Sequence, residues 1–175
     1  MSKILIVYSS KGGQTLKICQ TLQGVFKTAS CQVTLTSLDM AVPIDFSNFD
    51  KIVIGASIHY GHHDAGIFAL VKQHHSILNR KPSAFFSVNI VARKPGKDQP
   101  ETNPYLQKFL KKISWKPKLL AVFAGKLDYP SYSKFDRFMI RFIMWLTKGP
   151  TNPDAVIEFT DWHRVEDFAQ QIIRL

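Results

Sequence analysis

Lys3-Ile4-Leu5-Ile6-Val7-Tyr8, followed at once by Ser9-Ser10-Lys11-Gly12-Gly13-Gln14-Thr15, is the stretch on which the fold turns. An apolar, β-branched run stops at small hydroxyl residues and two glycines, and an amphipathic pattern starts immediately after it, which reads as strand, tight loop, helix. The backbone N–H groups of the Gly12-Gly13 turn, the hydroxyls of Ser9, Ser10 and Thr15, and the positive end of the helix converge on one point. An anion such as a phosphate is favoured there. The loop is neither G-x-x-x-x-G-K-[ST] nor G-x-G-x-x-G, so the cradles built on those motifs are not expected.

Outward from this stretch the alternation repeats. Residues 14–27 carry Ile18, Leu22, Val25 and Phe26 on one stripe and are predicted helical. A short second strand at 32–36 and a loop at 45–49 precede Lys51-Ile52-Val53-Ile54-Gly55-Ala56, whose unbroken hydrophobicity suits a parallel strand covered on both faces. Then come a helix at 65–78, a strand at 84–88, a Pro- and Lys-rich loop to about residue 104, a helix at 105–113 and a fifth strand at 119–124. A last helix starts at the N-cap Asp161 and turns Val165, Phe168, Ile172 and Ile173 inward. Five strands alternating with helices predict an α/β, doubly wound parallel sheet in one domain over residues 1–175. Ligands of such sheets bind beyond the carboxyl ends of the strands, where the cradle meets the loops at 57–63 and 89–94.

The formal charge of +10 is unevenly spread, since residues 80–118 hold ten Lys or Arg against Asp98 and Glu101. That region attracts an anionic membrane surface or a carboxylate-bearing molecule. Nucleic acid is not expected, because no helix-turn-helix, finger or aromatic-basic RNA motif accompanies the cations. Arg93, Lys94 and Lys97 border the ligand end of the sheet and are candidate carboxylate contacts. His59, His62 and His63 lie close together, but no Cys or carboxylate set completes a metal site, and none is expected. A substrate-contacting or proton-handling role is the alternative for one of them. Cys19 and Cys31, with no export signal expected before the first strand, read as reduced thiols without a catalytic motif.

Residues 126–148 form an insertion after the fifth strand. From Lys134 the chain reads Lys-Phe-Asp-Arg-Phe-Met-Ile-Arg-Phe-Ile-Met-Trp-Leu-Thr-Lys, and at ~100° per residue Lys134, Arg137, Arg141 and Lys148 gather within roughly 60°. Nearly everything else around the cylinder is apolar. At about 15 residues the helix is too short to cross a bilayer. A basic stripe beside a Phe, Met and Trp face is the pattern of an interfacial membrane helix. Burial of that face in the domain, or against a second copy of the chain, is the competing expectation.

The cradle resembles the hydroxyl-rich loop of flavodoxins that holds the terminal phosphate of FMN. Lys11 and Gly12 stand where threonines are common, which removes two hydroxyl donors and adds a cation beside a dianion. Beyond the cradle, Ile54-Gly55-Ala56-Ser57-Ile58-His59-Tyr60-Gly61-His62, the stretch 82–95, Tyr132 with Asp136-Arg137-Phe138-Met139-Ile140, and Thr160-Asp161-Trp162 resemble the bacterial menaquinone-dependent protoporphyrinogen oxidase family over nearly the whole chain. The resemblance implies a flavodoxin-like fold and FMN as cofactor, held by Ser10, Lys11, Gly12, Gly13, Gln14 and Thr15 at the phosphate and by Tyr60, Ser87, Val88, Asn89 and Ala92 around the ring. It implies oxidation of protoporphyrinogen IX to protoporphyrin IX in haem biosynthesis, with menaquinone or another quinone as acceptor. His62, Arg93, Lys94, Lys97, Tyr132 and Arg137 are the expected substrate contacts, and the cytoplasmic face of the cell membrane is the expected location of a peripheral protein. No catalytic acid or base is assigned. A flavodoxin-type NAD(P)H:quinone reductase and a non-catalytic electron carrier are the rival readings, although carrier flavodoxins tend to be acidic and this chain is basic.

Overall fold

The computed structural model describes residues 1–41 and 43–175. In chain order the elements are β1 (Lys3–Ser9), α1 (Gln14–Thr28), β2 (Gln32–Ser37), the short α2 (Leu38–Ala41), β3 (Lys51–His59), β4 (His62–His63), α3 (Ala65–Arg80) and β5 (Ser83–Asn89). They continue with α4 (Pro104–Leu110), β6 (Leu119–Ala124), β7 (Lys126–Asp128), α5 (Lys134–Leu146), β8 (Val156–Glu158) and α6 (Trp162–Arg174). Five strands pair in parallel in the order β2-β1-β3-β5-β6, the flavodoxin-like winding that was expected. The chain leaves β1 toward β2 and returns to β3 on its other side, which opens a crevice at the carboxyl end of β1.

Helices cover both faces, so alternate residues of each strand enter different cores. On one side Leu5 and Val7 pack with Phe85, Phe109 and Trp115 beneath α3 and α4. On the other, Ile4 and Ile6 pack with Ile18, Leu22, Phe86 and Phe168 beneath α1 and α6. Gly55 allows this packing, since a Cβ there would lie 2.1 Å from the Phe86 ring.

Three departures from the sequence reading matter for the site. Strand β3 runs on to His59, and Tyr60 and Gly61, at φ 48° and 78°, turn the chain so that His62 and His63 pair back against His59 and Ile58. Positive φ at both central positions suits the right-handed twist of a hairpin. The expected loop at 57–63 is therefore a hairpin. Helix α4 ends at Leu110, three residues short of the expectation, with Lys111 as its C-cap. The insertion is also longer than expected: β7 and β8 pair antiparallel from Lys126 opposite Glu158 to Asp128 opposite Val156.

The excursion has a small core of its own, Leu127, Tyr129 and Met144, packed against Ile90, Tyr132 and Ile140. Ser133 caps α5 by accepting from Asp136 N, and the Tyr129 hydroxyl donates to Pro150 O at 2.6 Å. Met144 is the one fully buried residue of α5. Phe135, Phe138 and Trp145 are 65%, 67% and 67% exposed, so the domain does not bury the aromatic face. Lys148 lies past the end of the helix at φ 54°. Among the described residues no helix is long and apolar enough to cross a membrane.

Candidate cofactor and substrate site

The first wall of the site is the turn between β1 and α1. Gly13, at φ 82°, begins the helix without a side-chain cap, and its N–H donates to Ser10 Oγ at 3.1 Å. A Cβ on Gly12 or Gly13 would meet nothing within 4 Å, so the space before the loop is open. Thr15 is 1% exposed, yet its hydroxyl has no hydrogen-bond partner among the described residues. Such an orphan costs about 1–3 kcal/mol. An acceptor-rich anion at the helix N-terminus satisfies it together with the free first-turn N–H groups. The residues present therefore fit a phosphate-bearing group. Gln14 turns its side chain away: Nε2 donates to Thr160 Oγ1 at 2.9 Å, and Thr160 Oγ1 donates to Ala124 O at 2.6 Å. This chain fastens the helix start to the end of β6. Lys11 Nζ stands 3.9 Å from Asp64 Oδ2, the N-cap of α3.

The second wall is the hairpin, and a buried polar chain lies beneath it. His63 Nε2 is 2.9 Å from Ser87 Oγ, which accepts from Asn89 Nδ2 at 3.2 Å. Asn89 Oδ1 in turn accepts from Ala92 N at 3.0 Å and from Asn103 Nδ2 at 3.1 Å. Asn103 Oδ1 caps α4, and its Nδ2 donates to Lys97 O at 2.8 Å. The side chains of Ser87 and Asn89 are thus bonded to protein and shape the 89–97 loop, and Val88 and Ala92 are buried beside them. His63 sits edge-on to Phe85 and Phe109, and burial lowers its pKa to about 4, so it is neutral near pH 7. The sequence sets His63 beside His59 and His62 with nothing to single out which of them is buried. What separates it is the turn at Tyr60-Gly61, which pairs His63 with Ile58 and leaves His62 exposed, and only Gly61 hints at that turn in the sequence.

Two clefts flank the hairpin. One of about 200 Å³ lies toward the cradle, between Ser9, Lys11, Ser57 and His59. The other, about 260 Å³, lies toward α4, between Phe68, Tyr105, Lys108 and Phe109. Both are bounded by His62, His63 and Ala65. Among the described residues no group of three His, Cys, Asp or Glu converges to hold a metal ion. Burial pushes the Cys19 thiol up, away from the reactive thiolate, and both cysteines are free.

A family model described as "Flavodoxin domain" matches residues 5–154. The Escherichia coli (strain K12) protein named "Protoporphyrinogen IX dehydrogenase [quinone]" is 43% identical over 173 residues, which cover 99% of this chain and 96% of that protein. The chain belongs to the protoporphyrinogen IX dehydrogenase family, within the flavodoxin-domain group. The family includes a Leishmania major protein of the same name, 41% identical over 174 residues, covering 99% of this chain and 75% of that protein. Among solved structures, oxidised Flavodoxin 1 from Bacillus cereus matches with a TM-score of 0.59 at 14% identity, covering 99% and 98% of the two chains. At that identity it speaks for the fold alone.

Within this dehydrogenase-family chain the expected substrate contacts divide into two groups. Arg93 is an internal tie: Nη1 donates to Ile90 O at 3.1 Å and Nη2 to Thr147 Oγ1 at 3.0 Å, which clasps the end of α5 to the loop after β5. Arg137 Nε donates to Tyr129 O at 3.0 Å, and the Tyr132 hydroxyl accepts from Asp128 N at 3.2 Å. Both hold the insertion together. Lys97 and His62 are exposed and Lys94 is half-buried. Tyr60, at the hairpin tip, presents a half-exposed ring while its hydroxyl donates to Asp136 of α5. Hydrogen bonds thus tie the insertion to the hairpin through Tyr60 and Asp136, and to the 89–97 loop through Arg93 and Thr147.

Proposed function

We propose that the chain is an FMN-dependent dehydrogenase that oxidises protoporphyrinogen IX to protoporphyrin IX and delivers the electrons to a membrane quinone such as menaquinone. The observation that carries this reading is 43% identity over 99% of the chain, which takes in the insertion as well as the sheet. The orphaned Thr15 hydroxyl at an open helix N-terminus supports a phosphate-bearing cofactor. FMN supplies a two-electron acceptor that can be used repeatedly, and three such oxidations, each matched by one quinone reduced to quinol, balance the conversion. The protein's part is to hold the phosphate at residues 10–15, to shape the surrounding loops through the His63–Ser87–Asn89–Asn103 chain, and to bring both greasy reactants to the crevice.

The same reading places the protein on the cytoplasmic face of the membrane. Its support is the outward face of α5, where Phe135, Phe138, Phe142 and Trp145 are exposed beside the exposed Lys134 and Arg141.

The test is to mix the purified yellow protein anaerobically with protoporphyrinogen IX and a menaquinone analogue. Porphyrin fluorescence that rises only when both are present supports the proposal. Bleaching of the bound flavin by NADPH points instead to a nicotinamide-linked quinone reductase, and a colourless protein that refuses added FMN overturns any redox reading. Thr15→Val is expected to weaken FMN binding by about 10- to 100-fold, the value of one hydrogen bond to a charged group. The apoprotein should keep or raise its thermal midpoint, because valine removes a buried hydroxyl that has no partner in the protein. Flavin fluorescence titration and thermal unfolding check the two halves.

A further inference from the structure

We infer that the cleft between the hairpin and α4 is a carboxylate subsite that receives a propionate arm of the macrocycle, an assignment that rests on the proposed function and adds a second pair of cations to Lys94 and Lys97 of the 89–97 loop. Arg93, expected to meet the substrate's carboxylate, is instead bonded to Ile90 and Thr147. The α4 side of the hairpin offers free charge. Lys108 Nζ lies 3.3 Å from His62 Nδ1, and Lys112 Nζ stands 5.9 Å from the centre of the Phe68 ring. Among the described residues neither ammonium has an acidic partner within 4.0 Å, whereas Lys11, Lys17 and Lys126 each do.

Between these cations lies an aromatic-walled space of about 260 Å³ formed by Phe68, Tyr105, Phe109 and the buried His63 ring. An apolar, flat wall under a cationic rim matches a carboxylate carried on an apolar, flat body. A phosphate is the poorer match, because hydroxyls and open helix N–H groups are gathered at the cradle instead. His62 and His63 border both this cleft and the one facing the cradle, so a carboxylate held here lies a hairpin's width from that crevice.

The test compares binding of protoporphyrin IX and its dimethyl ester to the FMN-loaded protein in the same detergent, followed by porphyrin absorbance. The wild type is expected to bind the diacid at least about tenfold more tightly than the ester. Lys108→Gln with Lys112→Gln should lose that preference through weaker diacid binding while keeping ester binding, FMN content and thermal midpoint. Equal affinity of the wild type for both compounds, or an undiminished preference in the double variant, overturns the assignment. Turnover is scored separately. A wild type that shows the lysine-dependent preference but makes no porphyrin with quinone keeps the subsite and removes the proposed reaction; turnover with a KM indifferent to both lysines does the reverse.

Discussion

Replacing Phe135, Phe138, Phe142 and Trp145 together by glutamine is expected to release the protein from anionic vesicles. Turnover with a bilayer-borne quinone should fall with it, while turnover with a water-soluble quinone survives. All four rings are exposed, at 65%, 67%, 48% and 67%, and follow one another at helical spacing on the side of α5 away from Met144 and Ile140. If half-immersion of each ring is worth on the order of 1 kcal/mol, the four together contribute about 4 kcal/mol, or roughly a thousandfold in partitioning. Folding should be spared, because Leu127, Tyr129 and Met144 are untouched. Lys134→Glu is the cleaner charge probe, since Arg137 and Arg141 also donate to backbone carbonyls of the insertion. It should weaken sedimentation with anionic vesicles several-fold and leave zwitterionic ones unaffected. Co-sedimentation of the aromatic variant at the wild-type level would sink the membrane reading. Excising 127–148 is a blunter test, because it unpairs β8 and uncovers Ile90.

Acidification is expected to destabilise the protein through His63, and His63→Gln to remove that component. Burial holds the folded-state pKa at about 4, below the ordinary value of 6.5. The unfolded chain therefore takes the proton first, so stability is fullest above pH 6.5 and declines as pH falls toward 4. That gap is worth roughly 3 kcal/mol. Glutamine can keep a hydrogen bond to Ser87 but does not titrate. Urea unfolding of wild type and variant at neutral pH and near pH 4 gives the difference directly, and parallel losses in the two proteins would show that His63 is not the group responsible.

What could be read from the sequence followed from local pattern. The β1 run and its glycine loop announced both the parallel sheet and the open helix start beside it, because a strand covered on both faces is continuously apolar and a helix start with free N–H groups calls for small residues. The hairpin was hidden because Tyr60 carries a positive φ that its residue type does not advertise. In β5 every residue is buried, so no polar-apolar alternation told which way Ser87 and Asn89 point. Their partners His63 and Asn103 come from other elements, and the partner of Arg93, Thr147, is 54 residues further along the chain. The β7–β8 ribbon consists of three-residue strands whose pairing is long-range, which leaves no periodicity to detect.

That ribbon also closes a seam. Lys126 faces Glu158, and immediately outside them Phe159 N donates to Gly125 O at 3.0 Å, so the excursion departs and returns at one point on the rim. Glu158 is further tied to α1 by Lys17 at 2.7 Å. A segment hung from so narrow a neck can lengthen or shorten without shifting any strand of the parent sheet, since each doubling of a flexible loop costs only about 0.6 kcal/mol in closure entropy. The aromatic appendage is, in construction, a graft: the sheet tolerates its size, and the neck fixes where on the rim it stands.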